Sequence, residues 1–173
     1  MCRLLRMLTA HWRTGVLSMP NYVLAIDPGK VTGIALFSRE GLSEPVLEWS
    51  KELEQHEVAE AVRNTLWTPT IRHNVDVVCE RFVINAQTVR NSQAPYSLEV
   101  IGIVKQCLHD NGKAMDDIFF QPPANAMAMF DNKKLKKLEY WHKGGAGHAL
   151  DAIRHALVRL VAKGWKPVRL LED

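Results

Sequence analysis

Residues 22–37, which read YVLAIDPGKVTGIALF, constrain the fold more than any other stretch of the chain. Tyr22–Ile26 and Val31–Phe37 are apolar and contain many β-branched residues, which is typical of buried strands. The Pro-Gly dipeptide between them favours a tight turn, so we predict an antiparallel pair of strands. Asp27 ends the first strand. Because burial of a lone charge would be costly, Asp27 either caps the turn or faces an open site.

Further strands and helices follow from the pattern of apolar residues. Val46–Trp49 is predicted to add a third antiparallel strand, and two later strands are predicted at Val75–Glu80 and Ile118–Gln121. The predicted helices span Glu52–Leu66, Ser97–Asp110, Ala124–Phe130, Lys133–His142 and His148–Lys163. Strands and helices alternate in the second half, which argues for an α/β fold with a mixed sheet.

Length and composition narrow the class of protein. The 173 residues suffice for one domain with a real core, and no apolar run is long enough to span a bilayer. Three scattered cysteines form no CxxC pair, which fits a cytoplasmic protein without a disulfide framework or zinc ribbon.

The N-terminal residues look unlike the rest. Residues 1–18 contain Arg3, Arg6 and Arg13 and no acid, and so account for the whole net charge of +3. We expect them to be a dispensable or disordered extension, with translation beginning at Met1 or Met19 and a single domain spanning residues 19–173. A flexible basic arm is the alternative.

Four residues form the candidate catalytic group. Asp27 and Glu80 each end a predicted central strand, and the carboxyl ends of parallel neighbours meet at one edge of a sheet, where α/β proteins bind ligands. His148 and Asp151 lie three residues apart on the last helix and therefore share a face. Each also has an ordinary interpretation: Asp27 as a turn residue, Glu80 as a surface strand end, and His148 and Asp151 as a helix cap.

A cluster of this kind needs a counterion. Three neighbouring carboxylates repel one another, and at least one would be protonated without a cation. Oxygen-rich ligation favours Mg²⁺ or Mn²⁺, and two such ions would activate water and stabilise the leaving oxygen in phosphodiester hydrolysis. No motif for a small-molecule cofactor accompanies the cluster, because the Gly29-Lys30 pair lacks the upstream glycine of a P-loop.

The chain resembles the RuvC-like Holliday-junction resolvases of the RNase H-like superfamily. The matching motifs are IDPGKVTG at 26–33, VVCE at 77–80 and HALDA at 148–152. The resemblance implies an RNase H-like fold, in which helices flank a five-stranded mixed sheet whose first three strands are antiparallel. It also implies a homodimer, formed through Ser97–Asp110, that cleaves four-way DNA junctions. The catalytic metal ligands it implies are Asp27, Glu80, His148 and Asp151.

Two departures from the family are visible. The family has an aromatic residue three places after the catalytic glutamate, whereas Phe82 lies two places after Glu80 and Val83 takes the expected position. The family's G-x-G-x-A-x-K stretch is replaced by MAMFDNKK at 127–134. A short, divergent chain of this kind resembles a bacteriophage member, which would act in the cytoplasm of a bacterial host.

Basic residues suggest where DNA would bind. Lys133, Lys134 and Lys137 cluster on one predicted helix, either as a solvated face or as phosphate contacts that weaken with salt. Lys30, Arg81 and Phe82 adjoin the catalytic carboxylates and complete the predicted DNA-binding set. The glutamate-rich residues 44–60 are expected to face away from DNA.

The sequence therefore predicts a metal-dependent endodeoxyribonuclease that resolves branched DNA by paired nicks. The alternatives are an RNase H-like nuclease acting on RNA or RNA–DNA hybrids, and a non-catalytic protein that binds junctions.

Overall fold

A five-stranded mixed sheet forms the centre of the protein, as seen in a computed structural model that describes residues 21–41, 43–84 and 94–171. The first three strands are antiparallel neighbours: β1 (Asn21–Asp27), β2 (Val31–Arg39) and β3 (Val46–Glu54). The strand β4 (Val75–Glu80) pairs in parallel with β1, and β5 (Ile118–Gln121) pairs in parallel with β4. The resulting order, β3-β2-β1-β4-β5, confirms the predicted fold class.

Helices cover both faces of the sheet. The described helices are α1 (Gln55–Trp67), α2 (Pro69–Arg72), α3 (Ala94–Asp110), α4 (Pro123–Met129), α5 (Asn132–Lys137) and α6 (His148–Ala162), with a short 3₁₀ turn at Val168–Leu170. Successive residues of β1 point to opposite faces, so Leu24 joins the core under α1 and α3 while Val23 joins the core under α6. The buried sheet is thus apolar on both sides.

The largest differences from the predicted element boundaries lie at the end of β3 and at the end of α5. Glu52 belongs to β3 rather than to the following helix, because residues 51–54 continue the pairing with β2. The helix α1 begins at Gln55 behind a capping box made by Glu54 and Glu57. The helix α5 ends at Lys137, and Glu139 then takes a left-handed backbone conformation, which stops the helix short of His142.

The prediction for residues 1–18 lies outside the described residues. Within the part of the chain that the structure describes, no helix combines the length and the apolar character needed to cross a membrane.

Candidate active site

The carboxylates of Asp27 and Glu80 lie side by side at one edge of the sheet. They end β1 and β4, which are parallel neighbours in a register that pairs Ile26 with Cys79, one step earlier. A cavity of about 720 Å³ opens beyond these strand ends. Asp27, Glu80, His148 and Asp151 all line it, so the four predicted residues come together in space.

The helix α6 reaches this cavity because it packs closely on the sheet. Its residues Ala149, Ala152 and Ala156 are buried against β1 and β2, where larger side chains would hold the helix away. Gly33 on β2 makes the closest approach, since a Cβ atom there would lie 1.9 Å from the carbonyl oxygen of His148. Gly33, the last residue of the motif IDPGKVTG, therefore allows the first turn of α6 to pack directly on β2.

His148 pairs with Asp27. The imidazole Nδ1 lies 2.8 Å from the Oδ2 atom of the carboxylate, which is 7% exposed. Burial raises the pKa of Asp27, the bond to His148 opposes that rise, and the negative charges of Glu80 and Asp151 add to it. The same bond raises the pKa of His148. The raised pKa of His148 favours its protonated form beside the Asp27 carboxyl group.

Glu80 contacts a buried residue, His155, for which the sequence predicted no role. His155 is 1% exposed, and its Nε2 atom lies 3.0 Å from Glu80 Oε2 while its Nδ1 atom lies 3.0 Å from Gln121 Oε1. Gln121 ends β5 as Glu80 ends β4, so the histidine bridges two adjacent strand ends. The signal was present in the helical spacing, because His155 lies four residues after Asp151 on the same face.

Asp151 pairs with Arg154, for which the sequence also predicted no role. The Arg154 guanidinium donates to the Asp151 carboxylate, to the Asn132 side chain and, at 2.9 Å, to the carbonyl oxygen of Phe130. Arg154 is 4% exposed, so the structure holds a buried cation next to the acidic cavity. It ties α6 to the start of α5.

Glu52 corrects the expectation for the glutamate-rich stretch. Its carboxylate accepts hydrogen bonds from the backbone amides that lead into α6, with Ala146 and Gly147 each donating at 2.8 Å. Residues 44–60 therefore do not all lie away from the site, because β3 runs back along β2 toward the strand ends that carry Asp27 and Glu80.

The predicted DNA-binding residues divide into two groups. Lys30, Arg81 and Phe82 line the cavity beside the carboxylates. Lys133, Lys134 and Lys137 lie on α5 and are not among the lining residues of the cavity. Lys133 is exposed, whereas Lys134 donates to the carbonyl oxygen of Met129 at 2.8 Å and helps to hold the start of its own helix.

The donor set of the cavity suits a hard divalent cation. Three carboxylates and the imidazoles of His148 and His155 border the cavity. The rise in the pKa of Asp27 comes partly from the neighbouring acids, and a cation would relieve this crowding of negative charge. Among the residues described, no three His, Cys, Asp or Glu side chains are arranged as a ready ligand set. The three carboxylates point instead to His148, His155 and Arg154.

Comparisons with known proteins agree on the fold. No protein-family model matches the chain, and no curated protein matches its sequence. The structure is similar to that of Thermus thermophilus RuvC, with a TM-score of 0.62 and 16% identity over 82% of this chain and 95% of that chain. The same protein in complex with a Holliday junction substrate gives a TM-score of 0.60, again at 16% identity, over 83% and 96%. The chain therefore has a RuvC-like fold.

Proposed function

We propose that this protein is a metal-dependent endodeoxyribonuclease that cuts branched DNA, with the four-way junction as its substrate. The observation that carries the proposal is the meeting of Asp27, Glu80, His148 and Asp151 at one cavity of a RuvC-like fold. The similar RuvC structure in complex with a junction adds support at the level of the fold.

Each of the four residues has a part in the proposed reaction. Asp27, Glu80 and Asp151 would hold the cation or cations, with His148 as a further ligand or as the group that carries a proton. When bound, one or two Mg²⁺ or Mn²⁺ ions supply an activated water and stabilise the leaving oxygen. The chain itself would place the phosphate, with Lys30 and Arg81 as cationic side chains that line the cavity.

We expect cation binding to rearrange the site. The Asp27 carboxylate is hydrogen-bonded to His148, and the Asp151 carboxylate accepts a hydrogen bond from Arg154. A cation that took both carboxylates would compete with these two basic partners. We therefore expect at least one of the side chains to rotate when the site fills, and Arg154 to keep Asp151 near the cavity through its bonds to Phe130 and Asn132.

The proposed active unit is a homodimer through α3. One side of this helix packs in the core, with Val100, Val104 and Leu108 fully buried, while Leu98 remains 46% exposed. An exposed leucine on the same helix gives a second copy an apolar contact. Two subunits would carry two sites, as paired nicks on opposed strands require.

We further propose that the catalytic domain spans residues 19–173 and belongs to a bacteriophage-type protein acting in the host cytoplasm. The support is the set of departures from the family at Phe82 and at residues 127–134.

A plasmid with an extruded cruciform tests the function and the dimer together. With Mg²⁺ or Mn²⁺ we expect paired nicks that linearise the plasmid, no cleavage with chelator, and a loss of about 10³-fold or more in Asp27→Asn because one carboxylate leaves the cation site. Products that are only nicked circles would count against the dimer. Equal cleavage of an RNA–DNA hybrid would favour the RNA alternative, and binding without metal-dependent cleavage would favour a non-catalytic junction-binding protein.

A further inference from the structure

One carboxylate near the site has no part in the proposed chemistry but is held by three amides of the backbone. Glu52 lies on β3, opposite Gly33 of β2. Its Oε2 atom accepts from the Ala146 amide at 2.8 Å, and its Oε1 atom accepts from Gly147 at 2.8 Å and from Ala149 at 3.4 Å. A single side chain of the sheet thus binds the amides on both sides of His148.

Among the described residues, no other side chain accepts a hydrogen bond from these amides at the start of α6. The N-cap residue of the helix is Gly147, which has no side chain and makes no side-chain cap bond. The first amides of a helix need acceptors, and a carboxylate at that end is also favoured by the helix dipole. Burial opposes ionisation of Glu52, but the three amides together hold its pKa below the ordinary value, which keeps the acceptor charged.

The turn before His148 is shaped around this carboxylate. Gly145 and Gly147 both have positive φ angles, of 69° and 103°. A Cβ atom on Gly145 would lie 2.3 Å from Glu52 Oε2, so the glycine leaves the space that the carboxylate fills. Gly144 also has a positive φ angle, of 135°, but a Cβ atom there would meet nothing within 4 Å.

We propose that Glu52 is a positioning residue, whose carboxylate locks residues 145–147 and thereby fixes where His148 meets Asp27. The sheet contributes twice to this placement. Gly33 on β2 sets how closely the first turn of α6 approaches, and Glu52 on β3 sets the turn that precedes it. Glu52 itself does not touch the reacting atoms. The consequence for cleavage rests on the proposed function, whereas the placement of His148 does not.

Hydrogen exchange and NMR of the metal-free protein test the placement without any nuclease assay. In Glu52→Gln, one acceptor oxygen and the charge are lost, so the Ala146 and Gly147 amides should exchange at least about tenfold faster. The His148 Cε1–Hε1 signal should shift or broaden as its contact with Asp27 loosens. The control is Glu48→Gln on the same strand, whose carboxylate accepts from Ser38 instead. It should leave both readouts unchanged.

A second pair of variants separates displacement of the Glu52 carboxylate from backbone strain. Gly145→Ala and Gly144→Ala both place a side chain at a positive φ angle, but only the first pushes against Glu52. We expect Gly145→Ala to reproduce the exchange and NMR changes of Glu52→Gln, and Gly144→Ala to show the effect of backbone strain alone. Glu52→Asp, which keeps the charge on a shorter side chain, should restore the signals only in part.

The outcomes separate the two proposals. Unchanged exchange at Ala146 and Gly147 and an unchanged His148 signal in Glu52→Gln would overturn the positioning role. A loss of thermal stability in Glu52→Gln with no change at His148 would also overturn it, because the carboxylate would then be structural only. If the changes occur while wild-type protein cleaves no junction, the positioning role stands and the proposed nuclease function fails.

Discussion

At the scale of single residues, the candidate site is a set of acids that are each held by a basic or polar neighbour. Asp27 faces His148, Glu80 faces His155 and Asp151 faces Arg154. An isolated buried carboxylate is costly, and these partners reduce that cost while the cation is absent. The same partners hold the side chains near the positions that the proposed ligands need.

The pair of Asp27 and His148 predicts a dependence of stability on pH. The pKa of His148 is raised from 6.5, so its contribution is fully present below that value and is lost as pH rises through the folded-state pKa. The pKa of Asp27 is raised from 3.8, so the ion pair is also lost in acid, when the Asp27 carboxylate takes up a proton. With chelator present, His148→Gln should therefore cost more unfolding free energy near about pH 6 than near about pH 9.

Urea unfolding at the two pH values measures this difference. His56→Gln is the matched control, because His56 is exposed on α1. A cost of His148→Gln that is equal at both pH values would contradict the ion pair.

At the scale of elements, the site depends on how closely α6 lies on the antiparallel strands. The carboxylates of Asp27 and Glu80 come from β1 and β4, but their distance to His148 and Asp151 is set by the small residues of α6 and by Gly33. The helix is also fastened at its other end, where Arg159 donates to Asp76 at 2.9 Å and stacks over the ring of Phe119. Arg159 shares the helical face of His148 but lies away from the cavity.

Gly33→Ala tests this close approach. The new Cβ atom would overlap the backbone of α6, so we expect a loss of about 1–3 kcal/mol or more in unfolding free energy together with weaker Mn²⁺ binding. The control is Gly102→Ala, where the new Cβ atom meets nothing within 4 Å. Because alanine has a higher helix propensity than glycine, the unfolding free energy should stay equal or rise by up to about 1 kcal/mol. Denaturant unfolding and calorimetry check the pair; equal stability of Gly33→Ala and wild type would contradict the account.

Some of these elements and contacts could be predicted from the sequence, and others could not. The strands that end in Asp27 and Glu80 were predictable because buried strands have a distinctive apolar pattern, and α6 because its face repeats every three to four residues. The extent of β3 was not predictable, since a strand and a helix compete for residues 52–54 and only the pairing with β2 decides between them. The roles of Glu52 and Arg154 depend on contacts with distant residues that no local pattern encodes.

At the scale of the whole molecule, the charge is less segregated than its order along the chain suggests. The glutamate-rich stretch reaches two distant places, because Glu52 lies at the start of α6 while Glu44 accepts from Trp165 Nε1. The basic residues of α5 sit on a helix that Arg154 ties to the site through Asn132. We therefore propose that the DNA surface runs from the cavity toward α5 rather than over a uniformly basic face.

Lys133→Ala tests this proposed path. Loss of one phosphate contact should weaken junction binding for all sequences and reduce the slope of log K against log salt by about 1. Fluorescence anisotropy with a labelled junction measures both quantities. The control is Lys163→Ala, whose ammonium pairs with Asp76 near the start of β4, at the opposite end from the cavity. If the two variants bind equally well with the wild-type slope, α5 is not part of the DNA surface.

The central claim is that Asp27, Glu80, His148 and Asp151 form one cation site. Anomalous scattering from crystals soaked in Mn²⁺ tests it most directly. The account predicts a peak in the cavity within about 2.2 Å of carboxylate oxygens from both Asp27 and Glu80, and its loss in Asp27→Asn. A cavity without a peak, or a peak that persists in Asp27→Asn without contacting Glu80, would contradict the account.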